Sequence, residues 1–185
     1  MKKLLLIMGD LAAGKTTLAN KLAQRYKVVA FNKDEFKEVI YDTYKCETRE
    51  ESRKISILAV DSMINIFKHF AIVEKPLILE SNFHQDEIDR IDKIALEYGY
   101  DVLTLLVKAD INLLHKRFVN RANNENRHPV HCSNVFENFD DFKKYIEFQR
   151  EELPKGKVLN VLANDFSYQE DEDMLNIIDE FMNNN

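Results

Sequence analysis

Cysteine and glycine are scarce in this chain, and the scarcity narrows its class. Two cysteines, Cys46 and Cys132, stand far apart among 185 residues. That is too few for the disulfide framework of a small secreted domain, and it leads us to expect a reducing, cytoplasmic setting. Glycine occurs four times and proline three, with no internal repeat and no low-complexity stretch beyond the terminal Asn183–Asn185. A fibrous or low-complexity chain is thereby excluded. No uninterrupted apolar run approaches membrane-spanning length, the longest lying near Leu4–Met8 and Leu77–Leu79, so no membrane partner is expected. An excess of positive charge is missing too: 26 Lys and Arg against 32 Asp and Glu leave a net charge of −6. A general nucleic-acid binder is usually basic, so nucleic acid is disfavoured as a partner and would need a local basic channel. What remains, at 45% hydrophobic and 31% charged residues, is a globular chain of one domain spanning residues 1–185.

Two of the four glycines fall within eight residues. Residues 9–16 read GDLAAGKT, matching G-x-x-x-x-G-K-[ST] at each fixed position. Ahead of them runs Leu4–Met8, and behind them Thr17–Tyr26 carries Leu18, Leu22 and Ala23 at helical spacing. A strand entering such a turn and a helix leaving it separate a phosphate-binding loop from a chance match. Gly9 and Gly14 let the backbone curl so that successive N–H groups point at one phosphate chain, and the helix N-terminus adds partial positive charge. The segment Gly9, Asp10, Leu11, Ala12, Ala13, Gly14, Lys15, Thr16 and Thr17 is therefore the expected nucleotide cradle, with Lys15 on the outer phosphates and Thr16 as a ligand of Mg²⁺. The N-terminal Met1-Lys2-Lys3 before an apolar run looks like a signal peptide, but the run is short and ends in this loop, so it reads as the first strand.

Beyond the loop, short apolar runs alternate with helical patterns, as in a parallel α/β sheet. Strands are expected near Lys3–Met8, Lys27–Phe31, Pro76–Glu80, Asp101–Val107 and Lys157–Leu162. None alternates cleanly between apolar and polar, as expected for strands covered on both faces. Helices are expected near Lys15–Tyr26, Asp34–Tyr41, Arg49–Phe70, Gln85–Tyr98, Ile111–Asn123, Phe139–Leu153 and Glu170–Met182. In the third, Ile55, Leu58, Met63, Ile66 and Phe70 form the expected core stripe. In the fourth, Ile88, Ile91, Ala95 and Tyr98 do so, and Gly99 stops the helix. Residues 123–138 show neither period, and with the preceding helix the segment 111–138 reads as a lid insertion. Ligands of such sheets bind beyond the carboxyl ends of the strands, which singles out Asp10, Asn32–Asp34, Glu80–His84, Lys108–Asp110 and Asn164–Phe166.

Asn32-Lys33-Asp34-Glu35 does not make a GTPase base-reading N-K-x-D, because it ends in Glu and follows the second strand. Leu77-Ile78-Leu79 ends in the single acid Glu80 rather than in the adjacent acids of a motor ATPase. What the chain resembles is the small P-loop kinases of the nucleoside-monophosphate-kinase-like group, above all the set with zeta toxins, chloramphenicol phosphotransferase and the kinase domain of polynucleotide kinase. Besides the phosphate loop, the resemblance rests on Phe31-Asn32-Lys33-Asp34, on Leu77-Ile78-Leu79-Glu80-Ser81-Asn82-Phe83, and on Arg117-Phe118-Val119-Asn120-Arg121 with Arg127-His128-Pro129 after it. It implies a three-layer P-loop fold with strand order 2-3-1-4-5, ATP and Mg²⁺ as cofactors, and transfer of the γ-phosphoryl group to a hydroxyl of a small molecule. It also makes the loop at Asn164-Asp165-Phe166 the adenine side.

The resemblance and the chemistry together assign roles. Asp34 is the expected general base, since transfer to a hydroxyl needs a carboxylate opposite the triphosphate; the competing reading is a helix N-cap. Lys33 and Lys37 would steady its ionised form or bind an anionic substrate. Glu80 is expected to hold Mg²⁺ through water or to contact the acceptor, although the resembled proteins more often place Asp there. Ser81, Asn82 and His84 would line the acceptor pocket. Arg117 and Arg121 lie four apart, on one helical face, and with Arg127 are expected to close over the nucleotide: Arg121 and Arg127 on the transferring phosphoryl, Arg117 and Asn164 on the cofactor. His128, His131 and Cys132 match no compact zinc spacing and are read as shaping the lid. A polynucleotide 5′-hydroxyl kinase and a nucleotide-binding regulator or slow ATPase stand as alternatives.

Overall fold

The computed structural model describes residues 2–124, 128–131, 136 and 138–183. Strands β1 (Lys3–Gly9), β2 (Val29–Asn32), β3 (Leu77–Glu80), β4 (Asp101–Lys108) and β5 (Lys157–Leu162) pair in parallel in the order β2-β3-β1-β4-β5. Around them pack α1 (Lys15–Tyr26), α2 (Lys33–Thr43), α3 (Arg49–Ile72), α4 (Gln85–Tyr98), α5 (Ile111–Asn124), α6 (Phe139–Gln149) and α7 (Glu172–Asn183). The order is the one the resemblance implies.

The central strand explains why no alternation is visible in the sequence. On β1, Leu4, Leu6 and Met8 join one apolar cluster with Val60, Met63 and Phe67 of α3 and Ile88 and Ile91 of α4. Leu5 and Ile7 join a second cluster on the other face, with Leu18 and Leu22 of α1, Phe142 and Ile146 of α6 and Ile178 of α7. Both faces of β1 are thus dry, and both demand apolar residues. The expectation fails at the sheet edge: on β5, Leu162 is 68% and Val158 38% exposed, because an edge strand has a neighbour on one side only.

Three expected boundaries move for identifiable reasons. The strand expected from Lys27 begins at Val29, since Lys27 terminates α1 in a left-handed conformation with its N–H on Ala23 O. Helix α6 ends at Gln149 rather than Leu153, because Arg150 is drawn inward to Asp10 and Ala109. Residues Phe166–Glu170 form a 3₁₀ turn, and α7 starts only after Asp171, whose carboxylate accepts from the Met174 N–H at 2.7 Å.

The core stripe of α3 is also corrected. It comprises Ile55, Ala59, Val60, Met63, Ile64, Phe67 and Ala71, while Leu58 is 54% exposed. Ala71 joins the cluster on the sheet and Ala59 is buried on the same stripe, so the face that packs is partly a small-residue face that hydrophobicity alone underrates. By length and composition α3 could cross a membrane, although no continuous apolar run signals it; here its stripe is the cover of the sheet. Thr48 accepts from the Glu51 N–H while the Glu51 side chain returns to the Thr48 N–H, a capping box that fixes its start.

Candidate active site

The site lies beyond the carboxyl ends of β1, β2 and β3, with the loop between β1 and α1 as its floor. Gly9 has φ +122°, and a Cβ there would sit 2.1 Å from the Val107 carbonyl oxygen of β4. Gly14, at φ +88°, caps α1, and a Cβ would meet the Phe166 ring at 2.9 Å. Glycine is required at both points, by conformation and by close approach. Between them Ala12 holds φ +63°, a left-handed turn that completes the curl. The first turn of α1 contains no acidic side chain, so its N-terminus stays open to an anion.

Lys15 is 7% exposed, and its ammonium donates to the carbonyls of Asp10 at 2.8 Å and Gly9 at 3.2 Å. Burial pushes its pKa below the ordinary 10.5, against the pull of Glu80, Asp34 and Asp10. Thr16 Oγ1 donates to Glu80 Oε2 at 2.9 Å, and Asn32 Nδ2 donates to Thr16 Oγ1 at 3.0 Å and to the same carboxylate oxygen. Glu80 is 5% exposed, and burial raises its pKa while Lys15 and the Thr16 hydroxyl oppose the rise. A hydroxyl and a carboxylate already in contact are hard oxygen donors that suit Mg²⁺, which takes few protein ligands and completes its shell with water and phosphate oxygens.

Asp34 is not the N-cap of α2. Asn32 is, accepting from the Asp34 N–H at 2.6 Å. The Asp34 carboxylate lines the same cavity as Lys15, Thr16 and Glu80, along with Lys33, Lys37, Ser52, Ser81, Asn82 and Tyr145. The cavity measures about 270 Å³, near the lower bound of small-molecule sites. Among the described residues, the buried Ser81 hydroxyl has no hydrogen-bond partner. Tyr145 on α6 has its pKa raised by burial, with a hydrogen bond to Asn82 acting in the opposite sense. His84 does not line this cavity; it begins α4 and pairs with Glu152 at 3.1 Å.

The two arginines of α5 part company. Arg121 lines the cavity. Arg117 instead donates to the carbonyls of Ala163 at 2.8 Å and Asn164 at 2.9 Å, and stacks on Phe166 with its guanidinium 4.3 Å from the ring centroid. It therefore borders the loop that follows β5. Asn164 accepts from the Asp110 N–H at 2.8 Å, tying that loop to the end of β4. Arg127 and Cys132 lie outside the described residues. Of the segment 111–138, α5 is anchored in the core by Leu114 and Phe118. Val130 and His131 lie over α2, where His131 pairs with Glu38 at 2.9 Å and His128 with Asp42 at 3.1 Å.

Three contacts carry no sequence signal. The Asp10 side chain, 1% exposed, points away from the cavity and takes a bidentate bond from Arg150, Nη2 to Oδ2 at 2.6 Å and Nε to Oδ1 at 3.0 Å, and a third from the Ala109 N–H. Tyr168 donates to the carbonyls of Ala13 and Gly14. Tyr145 reaches the site from α6, and nothing local marks it out. All three depend on contacts more than a hundred residues away in sequence or on the orientation of one helix. Asn32, by contrast, was readable: an Asn just before a helix, two residues ahead of an acid, is a capping signal.

The AAA domain family matches residues 4–147. Among curated proteins, none matches the chain. Among solved structures, a candidate kinase from Chloroflexus aurantiacus is 27% identical, with a TM-score of 0.78 over 95% of this chain and 94% of that one. A sugar kinase from Janibacter is 16% identical, with a TM-score of 0.61 over 97% and 95%. A gluconokinase from Sinorhizobium meliloti is 12% identical, with a TM-score of 0.54 over 89% and 84%. The latter two likenesses are of fold.

Proposed function

The chain belongs to the AAA domain family, and from that premise we propose that it is an ATP- and Mg²⁺-dependent kinase that phosphorylates a hydroxyl of a small molecule. One observation carries the reading. A carboxylate released from capping duty by Asn32, that of Asp34, lines one small cavity together with the phosphate-loop lysine. A carboxylate opposite the phosphate loop, in a cavity with room for a small molecule beside Ser81, Asn82 and Tyr145, suits transfer to an acceptor hydroxyl. The kinase, sugar kinase and gluconokinase of like fold support the same class.

In this mechanism Asp34 accepts the acceptor's proton as its oxygen attacks the γ-phosphorus. The new O–P bond forms while the bond from the γ-phosphorus to the β–γ bridging oxygen breaks, and ADP leaves. Lys15, the amides of residues 9–17 and the N-terminus of α1 hold the phosphates and take up charge moving to the bridging oxygen. Thr16 and Glu80 are the residues that would hold Mg²⁺, which when bound neutralises the β- and γ-oxygens. Arg121 closes the cavity from α5, and Arg127 is assigned the same clamp from the sequence. Arg117, stacked on Phe166, serves the base side with Asn164.

Incubation of the purified protein with γ-labelled ATP and a panel of hydroxyl compounds tests the reading. A labelled organic product is expected from the wild type and not from Lys15→Ala. Hydrolysis of ATP with no labelled organic product from any acceptor would instead favour a nucleotide-driven regulator.

A further inference from the structure

The face of α2 that meets the cavity carries Lys33 and Lys37 one helical turn apart, with Asp34 between them. Both lysines are partly buried, and neither makes an ion pair with any other described residue. Over the whole chain negative charge prevails, at −6. Among the described residues of the cavity lining the balance of sign reverses: Lys15, Lys33, Lys37 and Arg121 stand with the carboxylates of Asp34 and Glu80. Lys15 belongs to the phosphate loop and Glu80 to the Thr16 side. On the acceptor side, Asp34 is shared by two ammonium groups, of which Lys33 is also acted on by Glu80 and Glu87 while Asp34 is the carboxylate that acts on Lys37. Lys37 therefore carries surplus positive charge in a half-enclosed place, which is unfavourable until an anion fills it. Burial pushes the Lys37 pKa below its ordinary value, and Lys33 adds to the effect. Nearby, the buried Ser81 hydroxyl, without a hydrogen-bond partner among the described residues, lines the same space.

The surplus does not belong to the nucleotide's far end. Phe166, Tyr168 and Arg117 mark the base side, after β5 and against Gly14. Helix α2 follows β2, at the opposite edge of the sheet, with β3, β1 and β4 between. Resting on the phosphotransferase reading, we propose that the acceptor is a small anionic hydroxy compound, whose carboxylate or phosphate is held by Lys33 and Lys37 while its hydroxyl faces Asp34. In the transfer the anionic group is a spectator: the acceptor gains the phosphoryl group on its hydroxyl, Asp34 takes the proton, and ADP departs.

The test separates binding from turnover. Calorimetry on the full chain, loaded with Mg²⁺ and a non-hydrolysable ATP analogue, compares gluconate and glucose 6-phosphate with uncharged glucose; the same compounds are then offered with ATP. At least one of the two acids is expected to bind, with glucose much weaker. Lys37→Met should weaken that acid by about tenfold or more, as loss of a hydrogen bond to a charged group would. Lys37→Arg should restore much of the affinity, and the affinity for the nucleotide analogue should be unchanged in both variants. Which acid binds separates a carboxylate from a phosphate source. Equal binding of glucose, binding of neither acid, or an unchanged acid affinity in a Lys37→Met protein that melts like the wild type would each overturn the proposal. Acid binding that depends on Lys37, but with no phosphorylated product, would leave the anion site standing and sink the kinase reading.

Discussion

At the residue scale, the division of labour between Asn32 and Asp34 decides what the site can do. An Asp at the start of a helix is ordinarily spent on free N–H groups; here Asn32 satisfies the Asp34 N–H itself, and the Asp34 carboxylate stays with the cavity. Asp34→Asn keeps the shape and removes the base, so the rate of transfer should fall by about 10²–10⁴-fold. The affinity for Mg²⁺–ATP should hold, which stopped-time product assays beside calorimetry would check. Gly9 makes the opposite kind of prediction. With φ at +122° and the Val107 carbonyl 2.1 Å from any Cβ, Gly9→Ala forces a main-chain clash rather than a side-chain adjustment. Its cost should reach about 4 kcal/mol or more, visible as a large drop in the urea midpoint.

At the scale of elements, α6 and α4 each hold one charge worth testing. Arg150, just past the end of α6, binds the buried Asp10 with two nitrogens and also bonds the Ala109 carbonyl. Arg150→Ala would strand the Asp10 carboxylate in the interior at a cost of about 3 kcal/mol. For a chain of this size that lowers the melting temperature by about 6–12 °C. On α4, one oxygen of Asp92 is buried without a partner among the described residues, and burial raises its pKa above the ordinary 3.8. The folded chain thus holds this proton more tightly than the unfolded one, so the group opposes folding once pH rises past 3.8 and ionisation sets in. Asp92→Asn should raise the melting temperature at neutral pH, and the gain should disappear as the pH falls to about 4. Neither feature is legible as a pattern. The hydrophobic period located both helices, but it says nothing about which polar residue on or just past a helix turns inward.

Across the whole molecule, nucleotide binding should act as a stabiliser. With Mg²⁺–ATP at 100 times its dissociation constant, about 2.7 kcal/mol is added to the folded state, or about 5–11 °C in a thermal melt; Lys15→Ala should show no such rise. The global architecture was legible because its signals are local and repeated: apolar runs doubly covered, helices with caps, and a glycine pair that permits one backbone shape. The candidate site was legible where it hugs those local signals, at Lys15, Thr16, Asp34 and Glu80 and in the loop at Asn164–Phe166, and illegible where it is assembled by distant chain, at Tyr145, Arg150 and Tyr168. A small apolar face misled the reading of α3, since Ala59 and Ala71 pack by being small. The Arg150–Asp10 clasp has one more consequence. Tyr145 and Arg150 sit about 7 Å apart along α6, the first touching the cavity and the second gripping the phosphate loop. A guest that shifts this helix by leaning on the tyrosine also tugs on the triphosphate cradle, and by reciprocity a nucleotide that tightens the cradle alters the welcome given to the guest by the same factor.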